Sequence, residues 1–154
     1  MNNFLPTEVF LNIKKEIESN TFPWYLDNAT DENSSLQFCH SFLHDKKLSN
    51  FISILYPIMN ELKASYFYRI KANLNWKTDK IIETGNHVDS DNSKLKSSIY
   101  FLNTCNGYCK VKDKFFYSVE NTLITFNSNT THSGSTTTDS EKRLLINFVY
   151  SSDD

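Results

Sequence analysis

Thr122-Leu123-Ile124-Thr125-Phe126, a polar stretch over 127–142, and then Arg143-Leu144-Leu145-Ile146-Asn147-Phe148-Val149-Tyr150 decide the fold. Short apolar and β-branched runs bounded by turn-forming residues read as strands, and a loop of this kind returns the chain antiparallel. That geometry puts Arg143 on a strand beside the one carrying His132. The same grammar recurs upstream at 66–74, 95–103, 108–111 and 115–119, and Asn106-Gly107 marks a tight turn between two of these runs. Before residue 63 the period changes. Val9, Phe10, Ile13 and Ile17 recur with helical spacing behind Thr7, which is placed to cap the helix after Pro6, and Asn20 is placed to stop it. A short strand fits 22–26, and Leu36, Phe38, His40 and Phe42 alternate with polar residues as a half-buried strand does. A second helix fits 49–63, bent or shortened at its start by Pro57. Two helices followed by many antiparallel strands give an α+β domain, the helices covering one face of a β-sandwich or jelly roll. The whole chain, 1–154, reads as one domain, with helical support over 7–63 and a sheet core over about 66–150.

Composition narrows the function. The 154 residues carry a net charge of −2, which gives no basic footprint for a nucleic-acid backbone. No apolar run is long enough for a spanning helix, and the first ten residues lack the basic and apolar regions of a secretory signal. Three cysteines are an odd and modest number, so free thiols in a reducing cytoplasm are expected, or in a host cytoplasm if the chain is phage-encoded. Abundant Asn, Ser, Lys, Ile and Phe beside only two arginines resemble AT-rich coding of small marine bacterial or phage genomes.

The chemistry begins at Gly85-Asn86-His87-Val88-Asp89. On an extended chain residues i and i+2 share a face, so His87 and Asp89 can grip one ion. One more imidazole completes the two-His-one-carboxylate triad that suits Fe(II) and leaves positions open for ligands; His132 is the candidate. An H-x-D triplet arises by chance in roughly one such chain in four, so alone it decides nothing. Arg143 adds weight. It opens an otherwise apolar strand eleven residues after His132, and a guanidinium at the edge of a core wants a carboxylate it can hold bidentately. The bland alternative is a surface pair with Asp139 or Glu141.

His87-x-Asp89, then His132, then Arg143, together with Ile99-Tyr100-Phe101-Leu102-Asn103 and the closing strand, resemble the iron(II)/2-oxoglutarate dioxygenases, in particular their prolyl 4-hydroxylase-like branch. The resemblance covers about 66–150. It implies a double-stranded β-helix (jelly roll) in which His87, Asp89 and His132 bind Fe(II) and Arg143 binds the distal carboxylate of 2-oxoglutarate. O₂ would be the oxidant, and hydroxylation of a substrate would accompany release of succinate and CO₂. A tyrosine often found in the family strand is Phe101 here, so another donor must help hold the co-substrate. Asn73, on one face with Arg69 and Lys71, is the first choice, and Tyr100 and Tyr68 follow. Thr125 and Asn147 alternate toward the same pocket, and Trp76 is placed at its rim.

The primary substrate stays open between a peptidyl residue and a small molecule. His40 and His44 lie four apart on an alternating strand and read as structural or rim residues, and Cys105 and Cys109 as unpaired thiols. The polar segment 79–93 has the position of a lid, and whether it closes is left open. A non-catalytic jelly-roll binding or phage structural module is the competing class. A cupin-type metal enzyme that does not use 2-oxoglutarate is the third.

Overall fold

The computed structural model describes residues 1–27 and 37–152; Leu36, expected in a strand, lies outside them. Helix α1 (Thr7–Ile17) carries Glu8 in its first turn and Lys14 and Lys15 in its last, matching the helix dipole, and buries Phe10, Ile13 and Ile17. Pro6, not Thr7, occupies the N-cap, with no side-chain cap bond. Its φ of −53° is pre-set for the first turn, and the helix ends at Glu18 rather than Asn20. Strands β1 (Tyr25–Asp27), β2 (Gln37–His44) and β3 (Lys47–Leu48) follow. The expected single helix over 49–63 is two pieces, a 3₁₀ turn (Ile52–Leu55) and helix α2 (Tyr56–Leu62), with Pro57 in the first turn of α2. Proline lacks the N–H an uninterrupted helix would need there.

The rest is sheet: β4 (Tyr66–Trp76), β5 (Leu95–Phe101), β6 (Tyr108–Val111), β7 (Lys114–Tyr117), β8 (Thr122–Asn127), β9 (His132–Gly134) and β10 (Lys142–Ser151). A seven-stranded sheet runs β1-β2-β4-β10-β5-β8, with β3 on β2, and faces a three-stranded sheet, β7-β6-β9. The strand pairs within both sheets are antiparallel. This is the double-stranded β-helix, or jelly roll, with the helices packed on one sheet.

Alternation sorts the side chains of the large sheet. Ile70, Ala72 and Leu74 of β4, Tyr100 of β5, and Leu144, Ile146 and Phe148 of β10 join Phe10, Ile13, Ile52, Leu55 and Ile58 in the main core beneath the helices. The opposite face looks between the sheets. There Ile99, Phe101, Cys109 and Leu145 form a second, smaller core, with Phe116, Ile124 and Phe126 against it.

Two expectations change. Asn106-Gly107 is not a hairpin turn, because it links β5 of one sheet to β6 of the other, and Gly107 does not adopt a positive φ. Nor does Arg143 lie on a strand paired with that of His132. Both edges of β10 are taken, by β4 and β5, so β9 pairs with β6 and the two residues face each other from different sheets. No helix among the described residues is long and apolar enough to cross a membrane.

Candidate metal centre

The polar segment 79–93 is tied along 128–137. His87 and His132 exchange both backbone hydrogen bonds, at 3.0 and 2.9 Å, while Thr84 N–H donates to the Gly134 carbonyl and Asp89 N–H to the Ser128 carbonyl. Glu83 adds side-chain anchors by accepting from Ser133 Oγ and Tyr108 OH, both at 2.9 Å. On this extended backbone His87 and Asp89 share a face, and the bridge brings His132 alongside. One ligand atom from each of the three lies within 4.8 Å of the others.

The histidines are held in the tautomer a metal needs. His87 Nδ1 meets the Gly85 carbonyl at 3.1 Å and His132 Nδ1 the Thr130 carbonyl at 3.0 Å. A carbonyl only accepts, so each Nδ1 donates its N–H, and Nε2 is the ring nitrogen left to face a metal. Burial lowers the pKa of His132 from its ordinary value, more than the Thr130 carbonyl and Asp89 raise it. It is therefore neutral at pH 7.

Asp89 is almost fully buried and heavily partnered. Arg69 Nη2 donates to Oδ1, Ser97 Oγ donates to Oδ2 at 2.6 Å, Asn147 Nδ2 lies 3.1 Å from Oδ2, and His132 Nε2 stands 3.6 Å from the same oxygen. Burial alone would raise its pKa; the Arg69 charge, the Ser97 bond, His132 and Asn147 outweigh it, and the carboxyl titrates below its usual range.

His87, Asp89, His132, Arg69 and Asn147 line a cavity of about 290 Å³ between the sheets, together with Gln37, Lys71, Asn73, Asn75 and Arg143. Arg143 is 1% exposed. Its Nε donates to Ser118 Oγ at 2.8 Å and its Nη1 to the Ser135 carbonyl at 3.3 Å, while Nη2 is buried with no partner. Among the described residues no carboxylate pairs with it, so the bland alternative of a surface bridge to Asp139 or Glu141 is not what forms. Burial lowers its pKa from the ordinary value, yet a guanidinium has ample margin to stay charged. The close passage of Arg143 explains Gly107: a Cβ there would sit 2.5 Å from Arg143 Cδ and 2.7 Å from the Thr136 carbonyl oxygen. The Phe101 ring lies under the guanidinium at 5.7 Å and brings no hydroxyl.

Of the expected co-substrate residues, Asn73 lines the cavity, where its Oδ1 accepts from Gln37 Nε2 at 3.5 Å. Tyr100 does not. It sits on the other face of β5, packed on Phe4 and Phe10, with its hydroxyl donating to Asn121 Oδ1 at 2.7 Å. Tyr68 is exposed against Tyr66, and Trp76 meets Phe38 edge to face beside a different hollow. Thr125 bonds Ser98, outside the cavity lining. His40 is structural: Nδ1 reaches the Pro23 carbonyl, Nε2 reaches Ser49 Oγ, and Phe22, Phe42 and Phe51 surround the ring. His44 is exposed beside Asp45. Cys105 and Cys109 are free thiols, and burial pushes Cys109 up to about 12.

Sequence reasoning gave no site role to Asn75, Arg69, Ser97 or Ser118, while Asn147 lines the cavity as alternation expected. Only register reveals Asn75 as the cross-strand neighbour of Arg143. The sequence showed only that Arg69 is one of two arginines; that both line this one cavity is seen only in the fold.

No protein-family model matches the sequence, and no curated protein matches it. Solved structures do match in shape. A Pseudomonas putida prolyl-4-hydroxylase is 14% identical, with 99% of this chain and 90% of that one covered at a TM-score of 0.63. A Trichoplax adhaerens prolyl hydroxylase, solved with a hypoxia inducible factor oxygen degradation domain peptide fragment, is 13% identical over 99% and 82%, at 0.68. An oxidoreductase of the 2OG-Fe(II) oxygenase family from Burkholderia pseudomallei is 16% identical over 84% and 73%, at 0.60. At these identities the likeness establishes a common fold.

Proposed function

We propose that this protein is an Fe(II)- and 2-oxoglutarate-dependent dioxygenase that hydroxylates a peptidyl residue or a small molecule. One observation carries the reading. A three-residue ligand set whose imidazoles are both anchored through Nδ1, and a buried guanidinium with no acidic partner among the described residues, line the same cavity. The donor set suits Fe(II), and the unpartnered Arg143 nitrogen suits the far carboxylate of a dicarboxylic acid.

His87, Asp89 and His132 would hold the metal, and Arg143 the distal carboxylate of 2-oxoglutarate. When bound, Fe(II) with 2-oxoglutarate and O₂ supplies the oxidative decarboxylation to succinate and CO₂ that drives hydroxylation. The chain does the positioning. The Gly85 and Thr130 carbonyls fix both rings, and Ser97 and Asn147 orient the Asp89 carboxylate. Asn75, opposite Arg143 in the β4–β10 ladder, and Asn73 two residues on offer amide donors where Phe101 has none. Ile99, Phe101 and Leu145 keep water from the carboxylate-binding end. The three free thiols suit a reducing cytoplasm.

The test is an anaerobic titration of apo-protein with Fe(II) and then 2-oxoglutarate, watched for the visible metal-to-ligand charge-transfer band. The band should need both additions, vanish in His87→Ala and weaken in Arg143→Ala. A folded, monodisperse wild-type protein without the band would sink the oxygenase reading in favour of a binding module. A metal complex indifferent to 2-oxoglutarate would favour a cupin-type enzyme.

A further inference from the structure

Arg69 is not explained by the metal and the co-substrate. It cannot share the carboxylate held by Arg143. On β4 it stands opposite Val149 of β10, whereas Arg143 stands opposite Asn75, six residues further along. At about 3.3 Å per residue the two backbone positions are about 20 Å apart. Charge gives the same answer. Fe(II), the Asp89 carboxylate, the two carboxylates of 2-oxoglutarate and the Arg143 guanidinium already sum to zero. Lys71 Nζ is paired with Asp27 Oδ2 at 2.6 Å. The charge of Arg69 is left over.

Arg69 Nη2 rests on Asp89 Oδ1. A dication on Asp89 would draw off that carboxylate's charge and leave the guanidinium short of an anion. Arg69 is also where a ligand can reach: its side chain is 32% exposed and lines the cavity, while its Nε is buried with no acceptor. Beside it, Asn147 donates to the same Asp89 and leaves its own Oδ1 buried and unpartnered. Together with Arg143 Nη2, these are the three buried polar side-chain atoms without a partner among the described residues, and all three residues line one cavity. A guanidinium with donors to spare takes a carboxylate, and a lone amide oxygen takes an N–H donor.

We propose that Arg69 and Asn147 form the subsite for the primary substrate, and that the substrate is a free α-amino acid, its carboxylate on Arg69 and its ammonium on Asn147 Oδ1. The proposal rests on the oxygenase reading and narrows it. The size of the site agrees. A cavity of about 290 Å³ is at the low end for small-molecule sites and must also hold 2-oxoglutarate.

The experiment uses the anaerobic Fe(II)–2-oxoglutarate complex, to which the twenty free L-amino acids and their C-terminal amides are added in turn. Shifts of the charge-transfer band report binding, and succinate release under air reports turnover. At least one free amino acid should shift the band, and its amide should bind about 10- to 100-fold more weakly, as expected for losing a charged hydrogen-bond partner. Arg69→Gln should keep the band, which shows that metal and co-substrate still load, and should lose the preference for acid over amide. Arg69→Lys should recover part of it.

Four results would overturn the subsite: no free amino acid shifting the band, acids and amides binding alike, a preference that survives in Arg69→Gln, or loss of the band in Arg69→Gln. The last would mean that Arg69 serves only to hold Asp89. A wild-type protein with no band at all would instead overturn the oxygenase reading, which separates the two failures.

Discussion

Gly107→Ala isolates the close approach that aims Arg143. The backbone at 107 has no positive φ, so alanine meets no conformational penalty there and the whole effect comes from one methyl group. Its Cβ would lie 2.5 Å from Arg143 Cδ and 2.7 Å from the Thr136 carbonyl oxygen, well inside contact distance. Neither neighbour yields easily. Arg143 is anchored by Ser118 and Ser135, Thr136 N–H is bonded to the Ile82 carbonyl, and the Gly107 carbonyl itself accepts from Ser118 N–H at 2.8 Å. Overpacking of this kind costs about 1–3 kcal/mol. Stiffening the unfolded chain returns about 0.4–1 kcal/mol, leaving a net loss of about 1–2 kcal/mol. For a chain of this length that lowers Tm by roughly 2–8 °C. A guanidinium pushed off its two hydrogen bonds should also lose about 10- to 100-fold in 2-oxoglutarate affinity. The metal site is untouched, so Mn(II) affinity should stay within about twofold. Thermal unfolding with Mn(II) and 2-oxoglutarate titrations measures all three. An alanine variant as stable as wild type that binds 2-oxoglutarate as tightly would refute the reasoning.

Arg143→Met should keep or raise stability, since it replaces a buried, unpaired charge with an apolar chain of similar length, while 2-oxoglutarate affinity falls at least about 100-fold; calorimetry and ligand titration separate the two. Asn75→Ala should weaken 2-oxoglutarate about 10-fold with metal affinity unchanged, and equal affinity would remove Asn75 from the site. Tyr100→Phe deletes a buried hydrogen bond to Asn121 and should cost about 1 kcal/mol in denaturant unfolding, with no change in 2-oxoglutarate binding. The pH dependence follows from His40 and His132, whose pKa values burial lowers from 6.5. The unfolded chain binds more protons between the lowered values and 6.5, so stability rises with pH across that window and is lost as pH falls through the folded values. His40→Gln should flatten this slope without abolishing it, and an unchanged slope would exclude His40.

The strands and helices were legible because their signals are local. The near-continuous apolar run of β10, Leu144 to Tyr150 with only Asn147 polar, marks a buried strand, and Pro57 announces the break before α2. The candidate metal ligands were legible in part for the same reason: His87 and Asp89 are two residues apart on extended chain. Their partnership with His132 depends on a backbone bridge between segments more than forty residues apart, and spacing could only suggest it.

Misreadings arose where the meaning of a residue lies across the fold. Asn106-Gly107 has the letters of a hairpin turn, yet Gly107 is small because Arg143 passes over it and Asn106 braces the 137–139 loop. Tyr100 and Phe101 are adjacent in sequence, but the pleat sends one to the helices and the other under the guanidinium. Asn75 faces Arg143 only through strand register, and Arg69 meets Asp89 only through the closing of one sheet over the other.

Periodicity and composition act over a few residues, so the chain read in one dimension already specifies most of its strands and helices, an α+β domain built on a β-sandwich or jelly roll, and the types of group at the site. Which of those groups meet is a matter of the folded molecule. Register and sheet closure place charges and amides from distant strands around one cavity, and low dielectric there makes each unpaired donor or acceptor costly enough to call for a ligand.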